Sequence, residues 1–257
     1  MALASVIALL APVVAPHDPA EQLLARGLER PGWDHPFGRD KLGRDILSRV
    51  LYGTQISFFV GLTTVAVTAL LGVFVGVFAG YAGGAVDEVL MRVTDIFLAF
   101  PGILLAIALM AILGPSLRNV VFALCLMGWV GYARLVRAQV LALREYEFVV
   151  AARAIGAPPR RIMFRHLLPN AVAPVIVEAT FALAGTIIAE AGLSFLGLGA
   201  QPPTPSWGSM LNEGRAFILV APHLTIFPGL AIMLLVLGFN LLGDGLRDAL
   251  DPKRRAR

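Results

Sequence analysis

The stretch REYEFVVAARAIGAPPRRIMFRHLLPN, residues 144–170, is a polar segment of 27 residues between long apolar runs. In its first half, apolar residues recur at helical spacing with Glu and Arg between them, which predicts a short amphipathic helix. The apolar positions of that helix are Tyr146, Val149, Val150 and Ile155. The whole stretch carries five arginines: Arg144, Arg153, Arg160, Arg161 and Arg165.

The second half of this stretch predicts a turn and another short helix. Gly156 can adopt the left-handed conformation that commonly ends a helix. Pro158 and Pro159 can open the next helix, because a proline in the first turn removes no intrahelical hydrogen bond. We expect that helix to stop near Pro169. A basic helix–turn–helix unit between apolar segments indicates a surface offered to a partner on one side of a membrane.

Composition places the chain in a membrane. Of its 257 residues, 58% are hydrophobic and 15% are charged, and the mean hydropathy is +0.78. A soluble domain carries about 25% charged residues. A bilayer core needs roughly 20 apolar residues per helix, so the length allows about six spans and leaves little for a soluble catalytic domain. We predict an all-α integral membrane protein.

The predicted organisation has four parts. Residues 1–15 form a first transmembrane helix, short or truncated, and no basic residue precedes Arg26 as a signal peptide would require. Residues 16–53 form an external polar segment, residues 54–246 the membrane domain and residues 247–257 a cytoplasmic tail. The five further spans are expected at about 55–80, 88–113, 117–143, 168–190 and 222–246. The Gly- and Pro-rich residues 191–221 indicate an external re-entrant or surface segment.

Several functions are disfavoured by the residues present. The net charge is +4, but no basic platform studded with aromatic residues indicates nucleic-acid binding. Lys41 and Lys253 both lack the glycines of a phosphate-binding loop, so we expect no ATP hydrolysis by this chain. We predict no catalytic residue and no metal site, because the four histidines show no zinc-binding spacing and Cys125 is the one cysteine.

Small and polar residues mark the expected spans. Gly72, Gly76 and Gly80 lie four residues apart and predict a smooth face for close helix packing. Glu178 and Glu190 lie in the fifth span and are possible intramembrane polar sites. They could relay protons, or they could simply form hydrogen bonds at a helix end or between helices.

Charged residues near the span ends lead to two further expectations. Arg92 and Asp95 could form an ion pair at i, i+3. Arg134 and Arg137 are expected to reach the inner headgroups with their side chains. Pro101 and Gly102, in the expected span 88–113, permit a kink.

Residues 144–170 resemble the signature loop of the membrane subunits of ABC importers. That pattern reads Glu-Ala-Ala, three residues, Gly, nine residues and Ile-x-Leu-Pro. The matching positions here are Ala151, Ala152, Gly156, Leu168 and Pro169. Val150 stands where the pattern has Glu, and His166 where it has Ile.

Two other stretches are similar to dipeptide, oligopeptide and nickel permeases. Residues 35–57, HPFGRDKLGRDILSRVLYGTQIS, follow the pattern G-T-D-x-L-G-R-D-x-x-S-R-x-x-Y-G, with Arg39 in place of Thr. The ending that runs from FPGLAI through FNLLGDGLRDALDPK is similar as well. The chain is therefore identified as resembling the inner-membrane permease subunit of a peptide- or nickel-type ABC importer, of the peptide permease C-subunit type.

This resemblance implies a type I importer permease fold and a set of partners. A homologous second permease subunit would complete the pore, two cytoplasmic ATPases would bind ATP and Mg, and an external binding protein would deliver the solute. This chain would bind no cofactor itself. Residues 144–167 would be the loop that couples to the ATPases, which we name the coupling loop. The residues implied in coupling are Glu145, Tyr146, Val149, Val150, Ala151, Ala152, Arg153, Ile155, Gly156, Ala157, Arg160, Arg161, Leu168 and Pro169.

Charge distribution supports this orientation in the cytoplasmic membrane. The side that carries the coupling loop and the C-terminus has 11 basic residues, against 8 on the opposite side, so the positive-inside rule places the loop in the cytoplasm. The expected solute is a dipeptide or oligopeptide. The alternatives are nickel or another small solute carried by the same kind of permease, or an ion-coupled secondary transporter that uses Glu178 or Glu190.

Overall fold

The computed structural model describes residues 10–250 and is helical almost throughout. A helical turn covers residues 10–14, and within residues 10–250 the extended pairing is one isolated bridge between Arg39 and Asp45. Eight helices follow in chain order: α1 Ile46–Ala82, α2 Gly84–Leu98, α3 Gly102–Leu113, α4 Leu117–Leu143, α5 Glu147–Ala154, α6 Pro159–Phe195, α7 Trp207–Gly214 and α8 His223–Leu250. Short 3₁₀ turns occupy Leu24–Arg26 and Arg215–Phe217.

Four of these helices, α1, α4, α6 and α8, are long and apolar enough to cross a membrane. Helices α2 and α3 meet that test only as a pair, because they bend by 79° at their junction. The predicted third span is therefore broken, and the break falls at Pro101, where the sequence permitted a kink. The predicted first span lies mostly on residues 1–9, outside the described residues.

Helix α1 begins earlier than the sequence indicated. It was expected to enter the membrane near residue 55, but it starts at Ile46, inside the polar motif. The Asp45 carboxylate accepts a hydrogen bond from the backbone N–H of Ser48 at 2.7 Å and so caps the helix. Polarity alone predicted a loop at the start of α1. In the structure this part is helical, and its charged residue Arg49 is buried in ion pairs.

The chain forms two compact units, and the long helices contribute segments to both. The first unit comprises residues up to Thr63 together with Ala106–Ala123 and Leu183–Leu241. Its core includes Ile46, Trp207 and Phe239. The Trp207 indole N–H donates to the Val50 carbonyl at 2.9 Å, and a Cβ on Gly53 would lie 2.6 Å from the Trp207 ring. Gly53, in the polar motif of residues 35–57, therefore leaves room for the Trp207 ring.

A buried ion cluster in the first unit explains the spacing of the arginines and aspartates in the motif. Arg44 donates to Asp40 at 2.6 Å and to Glu213 at 2.5 Å. Arg49, only 2% exposed, lies 3.6 Å from Asp40 and 3.7 Å from Glu213. Two guanidinium groups thus share two carboxylates, so each charge that leaves water has an opposite charge beside it.

The second unit comprises Thr64–Leu105, Leu124–Ala182 and the chain from Leu242 onward. One apolar core cluster in it joins α1, α4, α5 and α6. Its buried members are Val77, Val136, Val140, Val149, Ile162, Met163 and Leu167. This cluster positions the coupling loop.

Candidate functional site

Helix α5 of the coupling loop buries one face. Val149 is fully buried and Ala152 is 7% exposed, three residues apart on the same side of the helix. Val149 belongs to the cluster formed with Val77, Val140 and Ile162. Val149 therefore anchors the loop to the long helices, and neither of these two predicted coupling residues is open at the loop surface.

The opposite face of α5 is apolar and open. Val150 is 51% exposed, Ile155 directly after the last helical residue is 85% exposed, and Ala151 is exposed as well. Glu145 and Arg153 flank this face and are exposed as well. The free energy falls when another surface covers apolar side chains at the tip of a charged loop and removes them from water. The exposed apolar face is the part of the loop that suits a protein partner.

The turn after α5 depends on Gly156. Its φ of +79° lies in the left-handed region, and a Cβ built there would meet no atom within 4 Å. The glycine is therefore required by the backbone conformation and not by lack of space. The Gly156 N–H donates to the Arg153 carbonyl at 3.1 Å, and the Ala157 N–H donates to the Ala152 carbonyl at 3.0 Å. These two bonds satisfy carbonyls at the end of α5.

Helix α6 begins at Pro159 as predicted, but the prediction that it stops near Pro169 is wrong. The helix continues to Phe195. Residues Ile162–Leu167 form a π-helical segment, and the Leu168 N–H bonds to the Met163 carbonyl five residues back. The widened turn changes the hydrogen-bond pattern just before the proline, so the missing N–H at Pro169 does not end the helix.

Further contacts hold the loop beside the end of α1. The Arg144 guanidinium donates to the Gly80 carbonyl at 3.3 Å and to the Glu145 carboxylate at 2.9 Å. The Arg153 guanidinium lies 5.9 Å from the centre of the Tyr81 ring.

The remaining predicted coupling residues fall into two groups. Ala157 and Leu168 are partly buried against the core cluster, and Tyr146, Arg160, Arg161 and Pro169 are exposed.

The glycine strip of α1 lies directly against α4. A Cβ on Gly72 would lie 2.4 Å from the Trp129 carbonyl oxygen, and one on Gly76 would lie 2.5 Å from the Ala133 carbonyl oxygen. A Cβ on Gly80 would lie 2.9 Å from the Val140 Cβ. The two helix backbones approach too closely for any larger residue at these positions.

Two ion pairs join α2 to α4, and both differ from what the sequence predicted for these charged residues. Asp95 pairs with Arg134 on α4, so the expected pairing with Arg92 is not what the structure shows. Arg137 donates to both carboxylate oxygens of Asp87, at 2.5 and 2.6 Å. These arginines were expected to extend toward headgroups, but carboxylates are present within reach on the neighbouring helix. The bent helix pair places them there, and sequence spacing does not reveal that.

A cavity of about 750 Å³ lies in the second unit, and sequence analysis did not find it. Its polar lining residues are Gln139, Tyr146, Asn170, Glu178 and Arg247, which come from α4, the coupling loop, α6 and α8. The one signal in the sequence was Glu178, a carboxylate inside an apolar run.

Glu190, the other acidic residue of the fifth span, lies in the first unit and is not part of this cavity lining. It is fully buried, and one carboxyl oxygen accepts a hydrogen bond from the Ser194 hydroxyl at 2.7 Å. Its second carboxyl oxygen is buried without a partner among the described residues. This geometry matches the expectation of hydrogen bonding near a helix end.

The polar segment of residues 16–53 contains a histidine cluster that could be taken for a metal site. His17, His35 and Asp45 bring potential ligand atoms within 4.8 Å of one another. His35 donates from Nδ1 to Asp45 at 2.8 Å, and its Nε2 accepts from the Arg39 guanidinium at 2.5 Å. A metal ion could bind His35 only by displacing one of these bonds. These hydrogen bonds account for His35 and Asp45, whereas His17 Nδ1 lies 3.9 Å from the Asp45 carboxylate and has no hydrogen-bond partner among the described residues.

Comparisons with known proteins agree with this fold. Residues 72–256 match the family model of the binding-protein-dependent transport system inner membrane component. The chain is 49% identical over 250 residues to the dipeptide transport system permease protein DppC of Alkalihalophilus pseudofirmus. The aligned region covers 97% of this chain and 82% of that protein. The chain is 50% identical over 249 residues to the glutathione transport system permease protein GsiD of Escherichia coli O157:H7, with coverage of 96% and 82%.

Solved structures show the same fold. The MetNI methionine ABC transporter in an inward-facing conformation matches with a TM-score of 0.62 and 20% identity, over 79% of this chain and 96% of that one. An amino acid ABC transporter matches with a TM-score of 0.61 and 14% identity, over 79% and 95% of the two chains. The helical fold, the family match over most of the sequence and relatives near 50% identity together show that this chain belongs to the family of inner-membrane components of binding-protein-dependent transport systems, the permease subunits of ABC importers.

Proposed function

We propose that this chain is the translocation subunit of an importer for short peptides. The observation that carries the proposal is the 49% identity to a dipeptide permease over 97% of the chain. A glutathione permease, whose named solute is itself a small peptide, is related to the same degree. Among the alternatives raised by the sequence, this evidence favours a peptide over nickel.

The chain works with partners that supply energy and substrate. Members of this family are multi-pass inner-membrane proteins of transport systems that depend on a binding protein. We propose a heterodimer with a homologous permease, two ATPases that bind the coupling loop and an extracytoplasmic binding protein. ATP and Mg then bind to the ATPases. The coupling loop and the C-terminus face the cytoplasm, in keeping with the excess of basic residues on that side.

The exposed apolar face of α5 is the proposed contact with the ATPases. Val150 and Ile155 lie on it, while Val149 and Ala152 hold the helix from behind. When nucleotide binding moves the ATPases, a helix anchored in this way transmits the displacement to α4 and α6, since the buried contacts resist separation. The two orientations of the membrane helices are then populated according to the state of the ATPases.

The test combines capture of the ATPases with uptake. An Ala152 substitution would disturb the core, so Ile155→Arg on the open face is the better probe. Leu219→Arg is the matched control, because Leu219 is similarly exposed, at 95%, in the turn before α8. In proteoliposomes that contain the full importer, Ile155→Arg should lose most ATPase capture and dipeptide uptake, whereas Leu219→Arg should retain ATPase capture. Full capture by Ile155→Arg would refute the contact, and no dipeptide uptake by the wild-type importer would refute the substrate.

A further inference from the structure

The cavity of the second unit has features that the coupling role does not use. Its volume of about 750 Å³ is in the range of small-molecule sites. Its walls are mostly apolar, with Val177 and Phe181 among them, and the described lining residues include one carboxylate, Glu178, and one guanidinium, Arg247. An apolar cavity with two opposite charges suits a ligand that carries both charges itself.

In the described part of the chain, neither charge has a counter-charge. Within residues 10–250, Glu178 and Arg247 have no hydrogen-bond or ion-pair partner. Glu178 lies in the middle of α6, between Val177 and Ala179 in a run of apolar residues. A charged group at such a position is costly unless it faces water or a partner of opposite charge. The cavity provides the space for that partner.

The dimensions of the cavity wall fit a short peptide. Tyr146 and Asn170 lie at the coupling-loop end of the cavity, and Glu178 is eight residues further along α6. At about 1.5 Å per residue, eight residues of helix correspond to a wall of roughly 12 Å. An extended chain covers about 3.5 Å per residue, so a dipeptide or tripeptide with its terminal hydrogen bonds fits along this wall.

The charged groups of the cavity lining also distinguish between classes of solute. A divalent metal ion prefers several oxygen or imidazole ligands, and within residues 10–250 the lining offers one carboxylate and no histidine. An anion would meet an unfavourable charge at Glu178. A terminal ammonium group satisfies the carboxylate with charge-assisted hydrogen bonds.

We propose that this cavity is a peptide-binding site in which Glu178 takes the terminal ammonium group of the substrate and Arg247 its carboxylate. The proposal rests on the proposed peptide transport and names the residues that recognise the peptide. Gln139 and Asn170 offer amide groups for the peptide backbone. Glu178 is then a specificity-determining residue, since a peptide with a blocked amino terminus leaves its charge unpaired.

The test measures occupancy directly and does not depend on transport. Val177 lines the cavity, so Val177→Cys places a thiol beside Glu178, and Cys125→Ser removes the native thiol. The complete nucleotide-free importer in detergent is labelled with a small maleimide, with and without dialanine. Dialanine should slow labelling at least threefold, and N-acetyl-dialanine should leave the rate unchanged. Leu219→Cys, in the first unit, is the control whose labelling neither peptide should alter.

The charge of Glu178 is tested in the same background. Glu178→Gln should abolish protection by dialanine, and Glu178→Asp should restore part of it. Within the Val177→Cys, Cys125→Ser background, protection that is equal with Glu178 and with Glu178→Gln, or equal for the two peptides, would overturn the proposal. Complete resistance of Val177→Cys to labelling would overturn it too, because a partner chain would then fill the cavity. If the wild-type importer takes up dipeptide and protection is still absent, this inference fails and the proposed function stands.

Discussion

The close contact between α1 and α4 leads to a sharp prediction for Gly76→Ala. The added Cβ would lie 2.5 Å from the Ala133 carbonyl oxygen, 2.8 Å from the Val136 Cβ and 3.0 Å from the Arg137 backbone nitrogen. Ordinary contacts between such atoms are about 3.5–4 Å. Two of the three atoms belong to the backbone of α4, so no side-chain rotation relieves the overlap. The two helices must separate by about 1 Å, with loss of their close packing.

The expected magnitude follows from two opposing terms. Overpacking of a close contact costs about 1–3 kcal/mol. Alanine in a helix regains up to about 1 kcal/mol relative to glycine. Gly131→Ala on α4 isolates the second term, because its Cβ would meet no atom within 4 Å. The difference between the two variants should therefore equal the steric cost, which for a chain of this size corresponds to roughly 2–4 °C in Tm per kcal/mol.

The assay is thermal stability in mild detergent. Wild type, Gly76→Ala and Gly131→Ala, each fused to a fluorescent protein, are heated and the monodisperse fraction is measured by size-exclusion chromatography. Gly76→Ala should melt several degrees below Gly131→Ala, which should equal or exceed wild type. Equal melting of the two variants would refute the close contact. Adding Gly72→Ala to Gly76→Ala should cost less than the sum of both, because one helix separation relieves both overlaps.

Three further substitutions test other contacts. Arg137→Met should lower stability by about 1–2 kcal/mol, since it breaks two short charge-assisted bonds to a carboxylate that is only partly exposed, whereas Arg134→Met at a half-exposed pair should cost less than about 1 kcal/mol; equal Tm values for the two variants would contradict this ranking. Arg49→Met should cost about 3–5 kcal/mol and reduce the folded yield, because it leaves Asp40 and Glu213 underpaired in a buried site, and a normal yield would show that the cluster is dispensable. Gly156→Ala should cost about 1–2 kcal/mol through its positive φ, and protease cleavage in the coupling loop should increase; unchanged cleavage would indicate that the turn adapts.

The architecture was largely predictable from sequence because a bilayer imposes simple rules. Span α4 was predicted at residues 117–143, where the structure has it, since an apolar run in lipid must satisfy its backbone groups internally as a helix. The break at Pro101 and the turn at Gly156 were also predictable, because proline and glycine act locally on the backbone. The resemblance of the loop and of residues 35–57 identified the family.

Helix ends were harder to predict because polarity does not report burial. Residues 46–54 looked external because they are polar, yet Arg49 is buried by pairing with Asp40 and Glu213, and Glu213 is distant in sequence. Pro169 was expected to end a helix, but a π-helical segment just before it accommodates the proline. Both outcomes depend on contacts that a linear pattern does not contain.

The sequence alone determined the membrane location, the helical class and the family, because hydropathy, glycine and proline act over short stretches of chain. Only the tertiary structure decided which face of α5 is open, with Val149 held by residues from α1, α4 and α6 and Ala152 buried on the same side. It also brought Glu178 and Arg247 to one cavity from positions 69 residues apart in the chain. Packing between distant segments sets which side chains are buried and which charges meet, and spacing along the chain carries no measure of that.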